Sequence, residues 1–175
     1  MRESPSAPWP RNMDEPTKKL KKQLDGNPGQ PSQPESFVLF LDETLQNCQP
    51  ILEVLEKLNV AHERHKSFFQ PGTPDEEWLP KVGESNWSLL THDQKIRYNQ
   101  LEIRQVLRYR VREFVFTSGN LTGPAMAEAL VRALPKMKRF HEQLDPPFIA
   151  YVSKTGNVEL RYDKDGSIHD RKRKT

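Results

Sequence analysis

The stretch Phe37-Val38-Leu39-Phe40-Leu41-Asp42 decides the fold, because it is an unbroken apolar run that ends on a carboxylate. Strands that are covered on both faces have such continuous apolar sequences, and they are typical of the centre of a parallel sheet. In parallel α/β sheets, ligands bind beyond the carboxyl ends of the strands. The stretch therefore predicts a central parallel strand that places Asp42 at the functional edge of the sheet.

A second unit of the same kind is Trp87-Ser88-Leu89-Leu90-Thr91-His92-Asp93, where an apolar run is again followed by an aspartate. If the two strands are parallel neighbours, about 4.8 Å apart, Asp42 and Asp93 converge on one point. Each aspartate taken alone is explained equally well by a strand end or a helix cap. Two matching units favour a site for a hard cation.

Length and composition limit the class of protein. At 175 residues the chain suits one domain with a single core. It has no apolar stretch long enough to span a membrane and no leader-like segment at Met1, so we expect a cytoplasmic protein without a membrane partner. Cys48 is the only cysteine, which excludes an internal disulfide and a thiolate metal site.

The net charge of +3 comes from the two ends of the chain, because acidic and basic residues balance between Phe37 and Tyr162. Residues 1–36 are rich in Pro, Ser, Gln and Asn, so we expect a disordered arm. Residues 163–175 form a tail that ends in the basic cluster Arg171-Lys172-Arg173-Lys174. Both ends could contact nucleic-acid phosphates, or serve solubility alone.

Strand and helix patterns alternate between the two ends, which predicts an α/β fold: a three-layer sandwich around a mainly parallel sheet, with a C-terminal hairpin. Two helix starts have capping-box sequences, Thr73-Pro74-Asp75-Glu76 and Asn99-Gln100-Leu101-Glu102. Asp75 falls in a first helical turn, where the helix dipole favours an ionised carboxylate. Further strands are predicted at residues 60–65 and 113–117, further helices from Pro50 and over 124–143, and the hairpin at 147–152 and 158–162.

Basic residues cluster beyond Asp93. Arg104, Arg108 and Arg112 recur at fourfold spacing and predict a basic stripe on a helix. With Lys95 and Arg97, this stripe could follow a phosphate backbone, although a solvated helix face is the commoner meaning of such a pattern.

Other polar residues receive smaller roles. Asn120 follows the strand at 113–117, so it offers an amide at the same sheet edge as the aspartates. We expect His62 and His65 at the surface and no metal-binding role for His92.

Several motifs in this order resemble the PIN-like nuclease superfamily, and in particular bacterial PIN-like proteins related to type II toxins. The similarity runs from about Phe37 to Tyr162. The motifs are Leu41-Asp42-Glu43, Gly72-Thr73-Pro74-Asp75-Glu76-Glu77-Trp78-Leu79, Leu89-Leu90-Thr91-His92-Asp93, and Pro147-Phe148-Ile149-Ala150 with Gly156.

The resemblance implies metal-dependent hydrolysis of RNA by acids that hold Mg²⁺ or Mn²⁺. Asp42, Asp75 and Asp93 match the catalytic and metal-binding acids, with Glu76 as a neighbouring candidate ligand. Asp42 and Asp93 would be primary ligands, and Asp75 a third ligand or the residue that orients water. The expected RNA contacts are Lys95, Arg97, Arg104 and Arg108. The sequence departs from the family where many members have a further acid, because Ser118 and Asn120 stand there.

Two other function classes remain open. One is a noncatalytic PIN-like module that binds RNA or protein, which Asn120 favours. The other is a phosphatase with a nucleophilic aspartate, but Asp42-Glu43-Thr44 lacks the second aspartate that the haloacid dehalogenase type uses two residues on. If the protein is a toxin, an antitoxin would cover the acidic pocket. A homodimer is also compatible with the resemblance.

Overall fold

A computed structural model describes residues 36–169, which belong to a single compact unit of the chain. The predicted disordered arm, apart from Ser36, and the basic cluster at 171–174 lie outside the described residues. None of the helices within residues 36–169 combines the length and hydrophobicity that a membrane span requires.

A six-stranded sheet forms the middle layer of the described chain, in the order β2-β1-β3-β4-β5-β6. The first five strands are parallel, and β6 pairs antiparallel with β5 as the predicted hairpin. As predicted, β1 is central and its residues Leu39, Phe40 and Leu41 are fully buried. The strands are β1 (Val38–Leu41), β2 (Ala61–Arg64), β3 (Ser88–Thr91), β4 (Arg112–Phe116), β5 (Phe148–Val152) and β6 (Val158–Tyr162).

Helices cover both faces of the sheet, which confirms the three-layer α/β prediction. Among the described residues they are α1 (Gln49–Lys57), α2 (Asp75–Glu84), α3 (Gln100–Arg108) and α4 (Gly123–Gln143), with short 3₁₀ helices at His65–Ser67 and Gln94–Arg97. Helices α1 and α4 pack together over one face, and α2 and α3 pack over the other.

Alternation along the strands divides the core into two clusters, because successive side chains of a strand point to opposite faces. Leu39, Leu41 and Phe114 belong to the cluster beneath α1 and α4. Phe40 and Val115 belong to the cluster beneath α2 and α3. The fold is therefore one sheet with two separate apolar contacts to helices.

The strand order reverses at β1, which has β2 on one side and β3 on the other. The connection after β1 runs to β2 on one side, whereas the connection after β3 runs to β4 on the other, so a crevice forms outside the carboxyl ends of β1 and β3. Asp42 directly follows β1, and Thr91 ends β3. The fold thus positions these residues at the place where parallel sheets bind ligands.

The turn of the hairpin between β5 and β6 packs closely against α4 at Gly156. Gly156 has a φ of +81°, and a Cβ there would lie 2.5 Å from Cβ of Arg132 and 2.6 Å from the carbonyl oxygen of Ala129. Only glycine permits both the left-handed backbone and this close approach.

The two predicted capping boxes have different outcomes. Asn99 is the N-cap of α3 and its side chain accepts a hydrogen bond from the Leu101 amide, as predicted. The Thr73 prediction is wrong, because Pro74 has extended dihedrals (φ −59°, ψ 148°) and α2 begins one residue later, at Asp75. The Thr73 hydroxyl instead donates to the carbonyl of Gln70.

Two predictions about helix faces are also wrong. The basic stripe does not include Arg112, because α3 ends at Arg108 and Arg110 turns the chain with a φ of +55°. Arg112 is buried in β4 and donates to Asn86. The apolar pattern of α4 also predicts Val131 on the core face, together with Leu130 and Leu134, but Val131 is 44 % exposed.

Candidate active site

A small pocket of about 50 Å³ lies at the carboxyl edge of β1 and β3, on the face covered by α2 and α3. It contains the three aspartates that the sequence singled out, together with two glutamates that the sequence did not assign to a site. The five acidic residues of the described chain that line it are Asp42, Asp75, Asp93, Glu102 and Glu113. Apolar residues from both helices and from β3 complete the wall.

Asp42 is the most firmly held of the five acids. Its Oδ1 accepts hydrogen bonds from the Thr44 amide at 3.0 Å, the Thr44 hydroxyl at 2.6 Å and the Leu45 amide at 3.2 Å. Its Oδ2 accepts a hydrogen bond of 2.5 Å from the Thr91 hydroxyl on the neighbouring strand. These contacts fix the carboxyl group in one orientation between β1 and β3.

Burial also changes the protonation of Asp42, which is 7 % exposed. Loss of solvation raises the pKa of the Asp42 carboxyl from 3.8 to about 6, and the hydrogen bonds from Thr44, Thr91 and Leu45 only partly oppose this. A nearby cation would favour the charged form of the group.

Asp93 is linked to Asp42 through a single hydroxyl. The Asp93 amide donates to Oγ1 of Thr91 at 2.9 Å, and the same hydroxyl donates to Asp42. Oδ1 of Asp93 accepts a hydrogen bond from the Lys95 amide and so caps the 3₁₀ helix at Gln94–Arg97. The two aspartates thus line one pocket from adjacent strands, as the sequence predicted.

Asp75 enters the pocket as the first residue of α2. Its Oδ1 accepts a hydrogen bond of 3.1 Å from the indole Nε1 of Trp78. Desolvation raises the pKa of Asp75, and the charges of Asp93 and Glu76 add to the effect. Glu76, the neighbouring candidate ligand, is exposed and outside the pocket lining, where it accepts a hydrogen bond from Gln105.

Glu102 lies in the first turn of α3, where its capping role and its place in the pocket coincide. Its Oε1 accepts a hydrogen bond of 2.8 Å from Nδ2 of Asn99. Burial raises the pKa of Glu102, Asp93 and Asp75 raise it further, and Lys95 lowers it. The sequence explained this residue by capping alone.

Glu113 is the pocket residue that sequence reasoning missed. It lies within β4, is 2 % exposed, and its Oε2 has no hydrogen-bond partner. Burial raises its pKa well above the ordinary value, and Asp42 and Asp75 are the strongest of the acids that add to this. The available signal was a glutamate inside an otherwise apolar strand.

The donor set fits a hard divalent cation, because the pocket offers the carboxyl oxygens of five acids. The unpartnered Oε2 of Glu113 is a further acceptor that such an ion would satisfy. Within residues 36–169, however, no three His, Cys, Asp or Glu side chains are grouped as a metal ion requires. The pocket therefore supplies the donors without an assembled coordination sphere.

Residues 37–118 match the family model described as PIN like domain. This part of the chain is a PIN-like domain. The matched range runs from β1 through β4 and includes all five acids of the pocket. PIN-like domains belong to a nuclease-type superfamily. No curated protein and no solved structure gives a significant match to the chain.

The loop after β4 of the PIN-like domain stays out of the pocket. Asn120 is exposed and does not line it. The side chains of Gln94 and Arg97 donate to the carbonyls of Phe116 and Thr117, so the 3₁₀ helix covers the carboxyl end of β4. This cover separates the loop from the acids.

The four predicted RNA contacts divide into two groups. Lys95, Arg104 and Arg108 are exposed. Arg97 is engaged within the fold, because its guanidinium lies 5.5 Å and 5.4 Å from the ring centroids of Tyr98 and Tyr151. Lys95, Arg104 and Arg108 are therefore the exposed members of the set, and none of them lines the pocket.

His65 contradicts the expectation of a surface histidine. It is 1 % exposed and its ring contacts Phe40, Phe69 and Trp78. Burial lowers its pKa, which the charge of Glu43, 3.5 Å away, opposes. The position follows an edge strand with mixed polarity, so its local sequence gave no indication of burial.

Proposed function

We propose that the PIN-like domain is a metal-dependent ribonuclease that hydrolyses RNA phosphodiester bonds with Mg²⁺ or Mn²⁺ held in its acidic pocket. The observation that carries this proposal is the convergence of Asp42, Asp75 and Asp93 on one pocket at the strand-order reversal. Carboxylates so placed are the ligands that hard cations prefer.

The acids have distinct tasks in this proposal. Asp42, which four hydrogen bonds orient, and Asp93, which follows the adjacent strand, would hold the ion. Asp75, whose Oδ1 is fixed by Trp78, uses Oδ2 to accept a hydrogen bond from the attacking water. A bound Mg²⁺ or Mn²⁺ supplies acidification of that water and stabilises charge on the phosphate oxygens.

The size of the pocket limits how RNA binds. The pocket volume of about 50 Å³ leaves room for an ion with a few waters, since one water needs about 10–15 Å³ of such space. A nucleotide does not fit, so the RNA backbone lies across the mouth. The exposed cations Lys95, Arg104 and Arg108 are suited to hold its phosphates.

A noncatalytic module that binds RNA or protein is the second candidate. Two observations favour it: the acids are not grouped for a metal ion in the described chain, and burial keeps Asp42 and Glu113 protonated to higher pH.

If the ribonuclease is the toxin of a toxin–antitoxin pair, its antitoxin covers the mouth of the pocket.

Cleavage of end-labelled single-stranded RNA tests the ribonuclease proposal, with purified protein in Mn²⁺, in Mg²⁺ and in EDTA. We expect cutting that requires metal and falls by about 10³-fold in Asp42→Asn and Asp93→Asn, since each loses several kcal/mol of transition-state stabilisation. The matched control is Asp145→Asn, which changes an exposed aspartate paired with Lys164. A folded protein that cuts no RNA in either metal would leave the binding module.

A further inference from the structure

We propose that Glu113 is a ligand of the divalent cation and takes the place of the acid that the loop after β4 does not provide. This inference rests on the proposed metal-binding function of the pocket. It adds a residue from the interior of a strand, whereas the sequence pointed to residues that follow strands or begin helices.

The first argument is the burial of Glu113 without a partner. Its carboxyl group is removed from water, and Oε2 accepts no hydrogen bond within the described chain. A buried polar group in this state destabilises a fold unless a partner such as a bound cation satisfies it. The neighbouring guanidinium of Arg112 does not neutralise it, because Arg112 points to the opposite face and donates to Asn86.

The second argument is the row of the sheet in which Glu113 stands. Phe40 pairs with Leu89, Leu89 with Glu113, and Glu113 with Ile149. The other three members of this row are buried apolar residues that pack beneath α2 and α3. An apolar side chain would therefore suit the position, so packing does not explain a glutamate there.

The third argument is the position of Glu113 relative to the other acids. It lines the same pocket as Asp42, Asp75, Asp93 and Glu102, and all four act on it electrostatically. Its strand position is more interior than that of Asp42, which follows β1. Glu113 therefore forms the floor of the pocket, and a cation between it and Asp42 would satisfy both.

Thermal unfolding and calorimetric titration with MnCl₂ alone, on the full chain at pH 7, test this inference. In Glu113→Gln we expect a higher melting temperature without metal, because a neutral amide replaces a buried acid that lies among four other acids. We also expect Mn²⁺ to bind about tenfold or more weakly, since even outer-shell partners of a metal are worth about 10–100-fold in affinity. The matched control is Glu128→Gln, which changes an exposed glutamate near Arg132 on α4.

The outcomes separate Glu113 from the proposed function. Wild-type Mn²⁺ affinity in Glu113→Gln, or a folded wild-type protein that binds no Mn²⁺, would overturn the inference. Unfolding of Glu113→Gln in the absence of metal would also overturn the inference, because it would show that Glu113 has a structural role. Glu113→Leu, which suits the apolar row, repeats the thermal unfolding without metal. Mn²⁺ binding that depends on Glu113 in a protein that cuts no RNA would support the inference and contradict the ribonuclease proposal alone.

Discussion

The two faces of the sheet are built from the same strands, but one is an apolar core and the other carries the acidic pocket. Beneath α1 and α4, an apolar cluster runs the length of the strands, and the buried polar pair Ser88 and His141 is joined by a hydrogen bond of 2.9 Å. Beneath α2 and α3, the apolar cluster gives way to five acids at the carboxyl edge. Adjacent residues of β4 show the contrast: Phe114 packs in one core and Glu113 lines the pocket.

The α1/α4 face stabilises the fold, whereas the acidic pocket on the α2/α3 face destabilises it. One face is a continuous apolar core beneath α1 and α4. The other gathers like charges and buries Asp42 and Glu113, both of which have a raised pKa. Such a concentration of perturbed acids is typical of functional sites.

The largest effect is expected from breaking the apolar face. Phe114→Ala should lower the free energy of unfolding by about 3–5 kcal/mol, because it removes a fully buried ring beside Phe148 and leaves a cavity. Urea unfolding at pH 7 measures this. A loss below about 1 kcal/mol would show that this face is not the main source of stability.

The stability of the acidic face should depend on pH through Asp42. The folded-state pKa of Asp42 is about 6 and its ordinary value is 3.8. Between these values the folded state holds more protons on Asp42, so the contribution of this group to stability is greatest below about pH 4 and is lost as pH rises through 6. Deprotonation of Asp42 over this range should lower the free energy of unfolding by on the order of 3 kcal/mol.

The measurement is denaturant unfolding from pH 4 to pH 7 in EDTA, comparing wild type with Asp42→Asn. The difference in unfolding free energy between the two should shift by that amount in favour of the variant as pH rises. A difference that stays constant over this range would contradict the raised pKa of Asp42.

How much of this the sequence could predict depends on how local each signal is. The central strand at Leu39–Leu41 and its neighbour β3 were predicted correctly, because burial on both faces is visible in the sequence of a single strand. The meeting of Asp42 and Asp93 follows from that placement. The hairpin and the helices were predicted for similar local reasons.

The features that were missed depend on neighbours distant in sequence. Glu113 belongs to the pocket because β4 lies beside β3 with Leu89 opposite it, and β4 alone does not specify that register. Arg112 continued the helical spacing, but the turn at Arg110 moved it into a strand. His65 is buried by Phe40 and Trp78, which come from other elements.

The smallest change in unfolding free energy is expected from the two predicted capping boxes beside the pocket. Asn99→Ala should cost about 1 kcal/mol, because it removes the N-cap of α3 and the partner of Glu102. Thr73→Ala should stay within about 0.5 kcal/mol, because Thr73 caps no helix. Equal losses in thermal unfolding would contradict the observed start of α2.

Crystals grown with MnCl₂ test the central claim, that the acidic face is a cation site, most directly. The account predicts an anomalous-scattering peak in the pocket, with oxygens of Asp42, Asp93 and Glu113 at about 2.0–2.6 Å, the range for hard cations. A peak elsewhere on the protein, or an empty pocket at saturating Mn²⁺, would contradict it.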